Sequence, residues 1–352
     1  MRSPTTRRRR AGFAALAISC SLAFLAPPAM ADGTVNIYSY RQPDLIKPVL
    51  DAFTAETGIA TEVLFLDKGL EERIAAEGGN SPADVILTVD IARLANTKDR
   101  GITQPVESEA LAAAIPAEYR DSEGHWFGLT RRGRVVYASK ERVAEDEISY
   151  ADLADPKWKG KICIRSGQHD YNLALFSALI AHWGEARTEE WMTGFKNNLA
   201  RKPDGNDRGG AKAIFSGECD LALGNTYYVG LMMTNEKETE QKDWANAMKV
   251  VFPTIDGSGT HVNISGMALA RHAPNRDEAL KLMEFLAGDA AQEIYAAEVF
   301  EYPVKADVEP SDIVKSLGTL QADTLPLDEI AKHRKAASEM VDRVGLDDGP
   351  AS

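Results

Sequence analysis

Tyr227 and Tyr228 stand side by side after Gly224-Asn225-Thr226, with Tyr171 upstream. A phenol is neutral at about pH 7, because its pKa lies near 10, but it gives up its proton to a metal that stabilises the anion. The resulting phenolate suits a small, highly charged, hard cation such as Fe(III), which prefers anionic oxygen to thiolate or thioether. Neighbouring residues on a regular strand point to opposite faces, so Tyr227 and Tyr228 can reach one ion only where strand turns into helix. The sequence supplies that turn: Leu221-Ala222-Leu223-Gly224 is strand-like and Tyr228–Met233 continues helically. Any one of the ten tyrosines would ordinarily be a packed ring with its hydroxyl at the surface, so the adjacent pair carries the signal.

The other reactive side chains do not assemble into a second chemistry. There is no G-x-S-x-G elbow, no H-E-x-x-H and no metal-spaced His pair, so the chain reads as a non-enzyme. His169, two residues before Tyr171, is a lone His in a polar turn and is read as hydrogen-bonded or exposed. Glu301 is set aside as a ligand in the same way, and Asp90 is read as a helix cap or a support for the cleft. Tyr38 is expected to point into the core and Tyr302 to pack near the hinge.

These residues need elements to hold them. Val35–Tyr40 alternates like a strand, and Pro43 with Leu45, Val49, Leu50 and Phe53 reads as a helix ended by Gly58. Ala60–Leu66 is the next strand, Gly69–Glu77 a helix and Asp84–Val89 a buried strand, the opening of a mostly parallel sheet. The alternation restarts with strand Lys161–Arg165, helix Asn172–Trp183 and strand Asp220–Gly224. The turn Asp256-Gly257-Ser258-Gly259 separates Val250–Pro253 from strand Val262–Ala270, and helix Arg276–Ala287 follows. From about Asp328 the chain is helical and charged, with Asp347–Ser352 expected to fray. Two half-sheets joined by strands near 128–138 and 250–262 imply a cleft that closes by a hinge, with ligand beyond the strands' carboxyl ends.

Composition and the N-terminus set the compartment. The 352 residues are 44% hydrophobic and 26% charged, which fits a globular chain with a large core and excludes wholesale disorder. Arg2 and Arg7–Arg10, the apolar run Gly12–Leu25 and Ala29-Met30-Ala31 read as a cleaved export signal spanning 1–31. The net charge of −13 becomes more negative once those five arginines leave, so nucleic acid is excluded as a partner. The mature chain is expected in the periplasm. Cys163 and Cys219 then form an even pair in an oxidising compartment, which favours a disulfide over two buried thiols.

Several segments together resemble the ferric-binding proteins of ATP-driven iron importers. They are Tyr38-Ser39-Tyr40-Arg41-Gln42-Pro43, Leu87-Thr88-Val89-Asp90, Trp126-Phe127-Gly128-Leu129-Thr130 with Arg132 and Arg134, and Asp155-Pro156-Lys157-Trp158-Lys159-Gly160. Asn225-Thr226-Tyr227-Tyr228, His261-Val262-Asn263-Ile264-Ser265-Gly266 and Glu301-Tyr302-Pro303-Val304 complete the set. The Asp-Pro-x-Trp-x-Gly segment is common to many solute-binding proteins, whereas the paired tyrosines are far more specific.

The resemblance implies an α/β, two-lobed periplasmic-binding-protein fold of type II with a hinged interlobe cleft. One lobe would comprise 32–131 plus 256–299, the other 132–255 plus 300–352. It implies a monomer that captures Fe(III) through Tyr171, Tyr227 and Tyr228 and delivers it to an ABC permease at the inner membrane. Many ferric binders carry a His, and sometimes a Tyr, after the Arg of the first loop; here Gln42 and Pro43 take those places. Three phenolates leave a six-coordinate ion short of donors, so a carbonate or similar anion is expected, held by Arg41, Arg132, Gln42 and the helix N-terminus near Pro43. Binding proteins for a polyamine, thiamine or organophosphonate share the architecture. Their sites would want aromatic boxes with carboxylates, or Ser/Thr/Arg clusters.

Overall fold

The computed structural model describes Met1 and residues 33–350, so the export signal lies outside the described residues. Among those described, no helix is long and apolar enough to cross a membrane. Strand β1 (Thr34–Ser39) leads into helix Pro43–Thr57, where Pro43 occupies the first turn and gives up no internal hydrogen bond there. Ile46, Val49, Leu50 and Phe53 form the buried face, and Gly58, at φ 74°, closes the helix in the left-handed conformation. Leu45, which the spacing assigns to the core face, is half-buried, packing against that core while also lining the cavity described below, and Ile46 joins the fully buried face.

Strand β2 (Ala60–Phe65) and, after helix Leu70–Glu77, strand β3 (Val85–Thr88) pair parallel with β1 on either side. The 13-residue β4 (Phe127–Ser139) comes next, then β5 (Ile162–Cys163), β6 (Leu221–Asn225), β7 (Met248–Val251), β8 (Val262–Leu269) and β9 (Tyr302–Pro303). β4 joins the two half-sheets. Its Phe127–Gly133 stretch pairs with β8 and β9, while Arg134–Ser139 pairs with β6 and β7. The expected mostly parallel sheet is therefore mixed. β5 is parallel to β6, but every pairing of β4 and the β3–β8 pairing are antiparallel. A chain that passes from one lobe to the other must come back, and the returning strand lies antiparallel to the outgoing one. The second crossing, expected as strand, is largely the turn-bearing loop between β7 and β8.

Helix Asp170–Asn197 breaks at Gly184, whose φ of 77° no helical residue adopts, one residue beyond the end the sequence marks at Trp183. Helices Leu327–Ala331 and Arg334–Val344 pack back onto it. The tail does not fray at Asp347. Its carboxylate accepts from Ser166 Oγ and the Gly167 amide, both at 2.6 Å, and so ties the C-terminus to the loop before Tyr171. Cys163, at the end of β5, faces Cys219, just ahead of β6, with Cα atoms 5.9 Å apart, inside the span of a disulfide.

Candidate metal centre

Tyr171 and the tyrosine pair arrive on two helix starts. Asn225 leaves β6 in extended backbone, φ −89° and ψ 145°, and helix Thr226–Met233 begins at once. On a helix, successive side chains are separated by about 100° rather than the 180° of a strand, so Tyr227 and Tyr228 can share a side of the first turn. Their ring centroids are 4.2 Å apart. Tyr171 sits in the first turn of helix Asp170–Asn197, and its hydroxyl lies 3.3 Å from that of Tyr227. All three line one cavity of about 240 Å³ together with Arg41, Gln42 and Arg132. The six residues expected from sequence thus meet in one place.

A buried network fixes the two helix starts to each other. Arg134 donates to Asp207 at 2.6 Å, to the Asn225 side chain at 3.1 Å and to Asn172 at 2.7 Å. Asp207 also accepts from the Asn225 amide at 3.0 Å. Asn225 precedes the tyrosine pair and Asn172 follows Tyr171, so one guanidinium on β4 registers all three rings. Close packing adds to this: a Cβ on Gly224 would fall 2.1 Å from the Tyr137 ring, which leaves only glycine possible there. Sequence reading missed Asp207 and Asn172, since neither belongs to a motif.

The cavity is strongly cationic. Arg41 and Arg132 are buried, and both donate to Ser265 Oγ, at 2.7 and 2.9 Å. Glu301 faces the two arginines, 2.9 Å from Arg41 and 4.0 Å from Arg132. Burial alone would raise the Glu301 carboxyl, but Arg41 and then Arg132 more than offset it and hold it below the usual range. One carboxylate against two guanidiniums leaves a surplus of positive charge, and Arg132 Nε and Nη2 find no hydrogen-bond partner among the described residues. Arg165 and Arg208 line the cavity too, with guanidinium carbons 5.2 Å from the Tyr171 and Tyr228 ring centroids respectively. Gln42 is the exposed N-cap residue of helix Pro43–Thr57, and its side chain makes no capping bond. Phe300 adopts a left-handed φ of 58°, turning the chain so that Glu301 faces the arginines, and its ring closes over Gly230.

Burial, then the neighbouring phenols, pushes Tyr227 well above 10, and burial followed by Tyr171 does the same to Tyr228. Both are neutral donors until a cation displaces their protons. The other candidates are committed elsewhere. Asp90 caps helix Ile91–Asp99 through the Ala92 and Arg93 amides and accepts from Asn263. His169 Nδ1 accepts from the Tyr171 amide. Tyr38 is buried and donates to Glu77, and Tyr302, on β9, pairs beside Arg131. Tyr40 is occupied by Glu71 and the Leu70 amide. Among the described residues, no three of His, Cys, Asp and Glu are grouped to hold a metal.

The chain is similar to several known proteins. "Iron uptake protein A1" of Synechocystis is 43% identical over 314 residues, covering 88% of this chain and 87% of that protein. A Bordetella ferric binding protein superposes with a TM-score of 0.83 at 52% identity, covering 89% of this chain and 99% of that one. A Trichodesmium protein (IdiA, FutA) in complex with iron and citrate ligands superposes with a TM-score of 0.84 at 40% identity, over 89% of this chain and 100% of that one. These neighbours have the two-lobed, type II solute-binding fold. The family model described as bacterial extracellular solute-binding protein matches residues 80–324, more than half the sequence, and the chain belongs to that family.

Proposed function

We propose that this protein captures Fe(III) in its interlobe cleft, through the phenolates of Tyr171, Tyr227 and Tyr228, for import by an ABC permease. It does so in the periplasm, as a monomer, after its export signal is cleaved. The observation that carries the reading is a cavity in which these three phenol oxygens face buried guanidiniums with unsatisfied donors. Fe(III) neutralises the three phenolates, and the surplus positive charge on Arg41 and Arg132 is matched by a carbonate or similar anion that completes the ion's coordination. Gln42 and the helix N-terminus beside it face the same anion. The names of the relatives support iron as the cargo.

Adding Fe(III) with bicarbonate to the purified protein tests the proposal. A visible phenolate-to-iron charge-transfer band is expected, and a colourless sample overturns it. The guanidinium-rich lining favours one alternative, an organophosphonate bound as an anion without metal, while it repels a polyamine. Phosphonate binding without iron, alongside a colourless iron sample, would establish that alternative.

A further inference from the structure

Beside the cavity, next to Tyr40 and Tyr171, four charged residues from three helices meet. Arg93 lies on helix Ile91–Asp99, which is anchored to the β1–β3–β8 half-sheet by Asn263 of β8, a donor to Asp90 and an acceptor for the Ile91 amide. Asp170 opens the helix that carries Tyr171 in the opposite lobe. Arg93 binds Asp170 with two nitrogens, at 2.8 Å through Nε and 2.6 Å through Nη2. Arg334, at the start of helix Arg334–Val344, pairs with the other Asp170 oxygen and lies 3.7 Å from Asp90. Arg93 is preset for this: its guanidinium carbon stands 3.6 Å over the ring of Tyr40, which Glu71 and the Leu70 amide hold in place. The Arg93–Asp170 side chains are about four-fifths buried, at 21% and 19% exposure, so solvent weakens the pair less than it weakens the surface pairs.

We propose that Arg93, Asp170 and Arg334 form an interlobe clamp that holds the cleft closed and fixes the helix turn bearing Tyr171, making Asp170 a positioning residue for the iron site. Opening the lobes separates Arg93 from Asp170 and strands a carboxylate that only Arg334 still satisfies. Closing restores a two-nitrogen contact one residue away from a phenol donor. The clamp thus couples lobe position to Tyr171 without touching iron. It rests on the ferric reading only for its effect on iron, since the closure itself concerns the lobes.

Two measurements test it: iron release to excess chelator in bicarbonate buffer, and small-angle X-ray scattering of the metal-free protein. Arg93→Gln and Asp170→Asn should each speed release by about tenfold to a hundredfold, as expected when one member of a desolvated charge pair is removed. The double variant should be no faster than the worse single one, because both remove the same contact. Metal-free variants should scatter as a more extended particle, and Arg93→Lys should recover part of both effects. Arg100→Gln, which removes an ion pair with Glu72 within one lobe, is the control and should change neither. Release rates that stay at the wild-type value or multiply in the double variant, or metal-free scattering identical to the wild type, overturn the clamp. A wild-type protein that takes up no iron would sink the ferric reading, while the scattering still decides the clamp.

Discussion

In the proposed site each of the three phenols exchanges a proton for a bond to iron, and this sets how such a site must respond to acid. Burial holds Tyr227 and Tyr228 above the ordinary phenol range, so both are protonated near neutrality, and iron binding by the proposed trio should release up to three protons. Log affinity should therefore fall by up to about three for each pH unit of acidification, as read by competition with a chelator of known pH dependence. Replacing Tyr171, Tyr227 or Tyr228 singly with Phe keeps the ring and deletes the donor. Each change should weaken binding by orders of magnitude, and Tyr38→Phe should leave it unchanged. If all three single variants still hold iron, the ligand assignment is wrong. Tyr227 and Tyr228 could be singled out in the sequence because adjacent tyrosines at a strand-to-helix junction have a chemical reason, whereas Tyr171 joined them only through the family resemblance. Asp207 and Asn172 could not, since an isolated Asp or Asn gains meaning only when folding places it beside Arg134, 73 and 38 residues away in sequence.

Between elements, the support of the site depends on buried charge. Asp207 is buried against Arg134 and Arg165, so Asp207→Asn leaves the buried Arg134 without its charged partner and should lower stability by about 3–5 kcal/mol. Denaturant unfolding of the metal-free protein measures this, and a loss below 1 kcal/mol would show the network to be dispensable. The Cys163–Cys219 bond proposed between β5 and the approach to β6 should show no free thiols by mass spectrometry of the unreduced protein. Cys163→Ser should cost about 2–4 kcal/mol without altering the iron band. Most elements were legible from periodicity, helix Arg276–Ala287 to the residue. Strand direction was less so. Alternation of apolar residues reports which face is buried but not which neighbour a strand will find, so the antiparallel β4 and β8 could be known only from the fold.

For the whole molecule, two buried groups tie stability to pH. Glu301, held below its usual range, contributes stability that is present above the unfolded carboxyl pKa and is lost as pH falls through the depressed folded value. His261, lowered to about 3 by burial and then by Arg134, is neutral in the fold while its unfolded form takes a proton below about 6.5. Stability therefore rises with pH through the window between those two values. Both groups push the same way. The melting temperature of the metal-free protein should fall steadily from pH 7 to pH 4, and His261→Gln should flatten the upper part of that fall. Finally, β4 is one strand whose first half pairs with β8 and β9 and whose second half pairs with β6 and β7. It behaves as a torsion bar rather than a loose string. Opening must twist hydrogen-bonded backbone, so the lobes are guided along a narrow arc and come back in register. Tyr227 and Tyr228 follow β6 in one half-sheet and Arg41 follows β1 in the other, so the twist of that bar sets the span across the cavity they line.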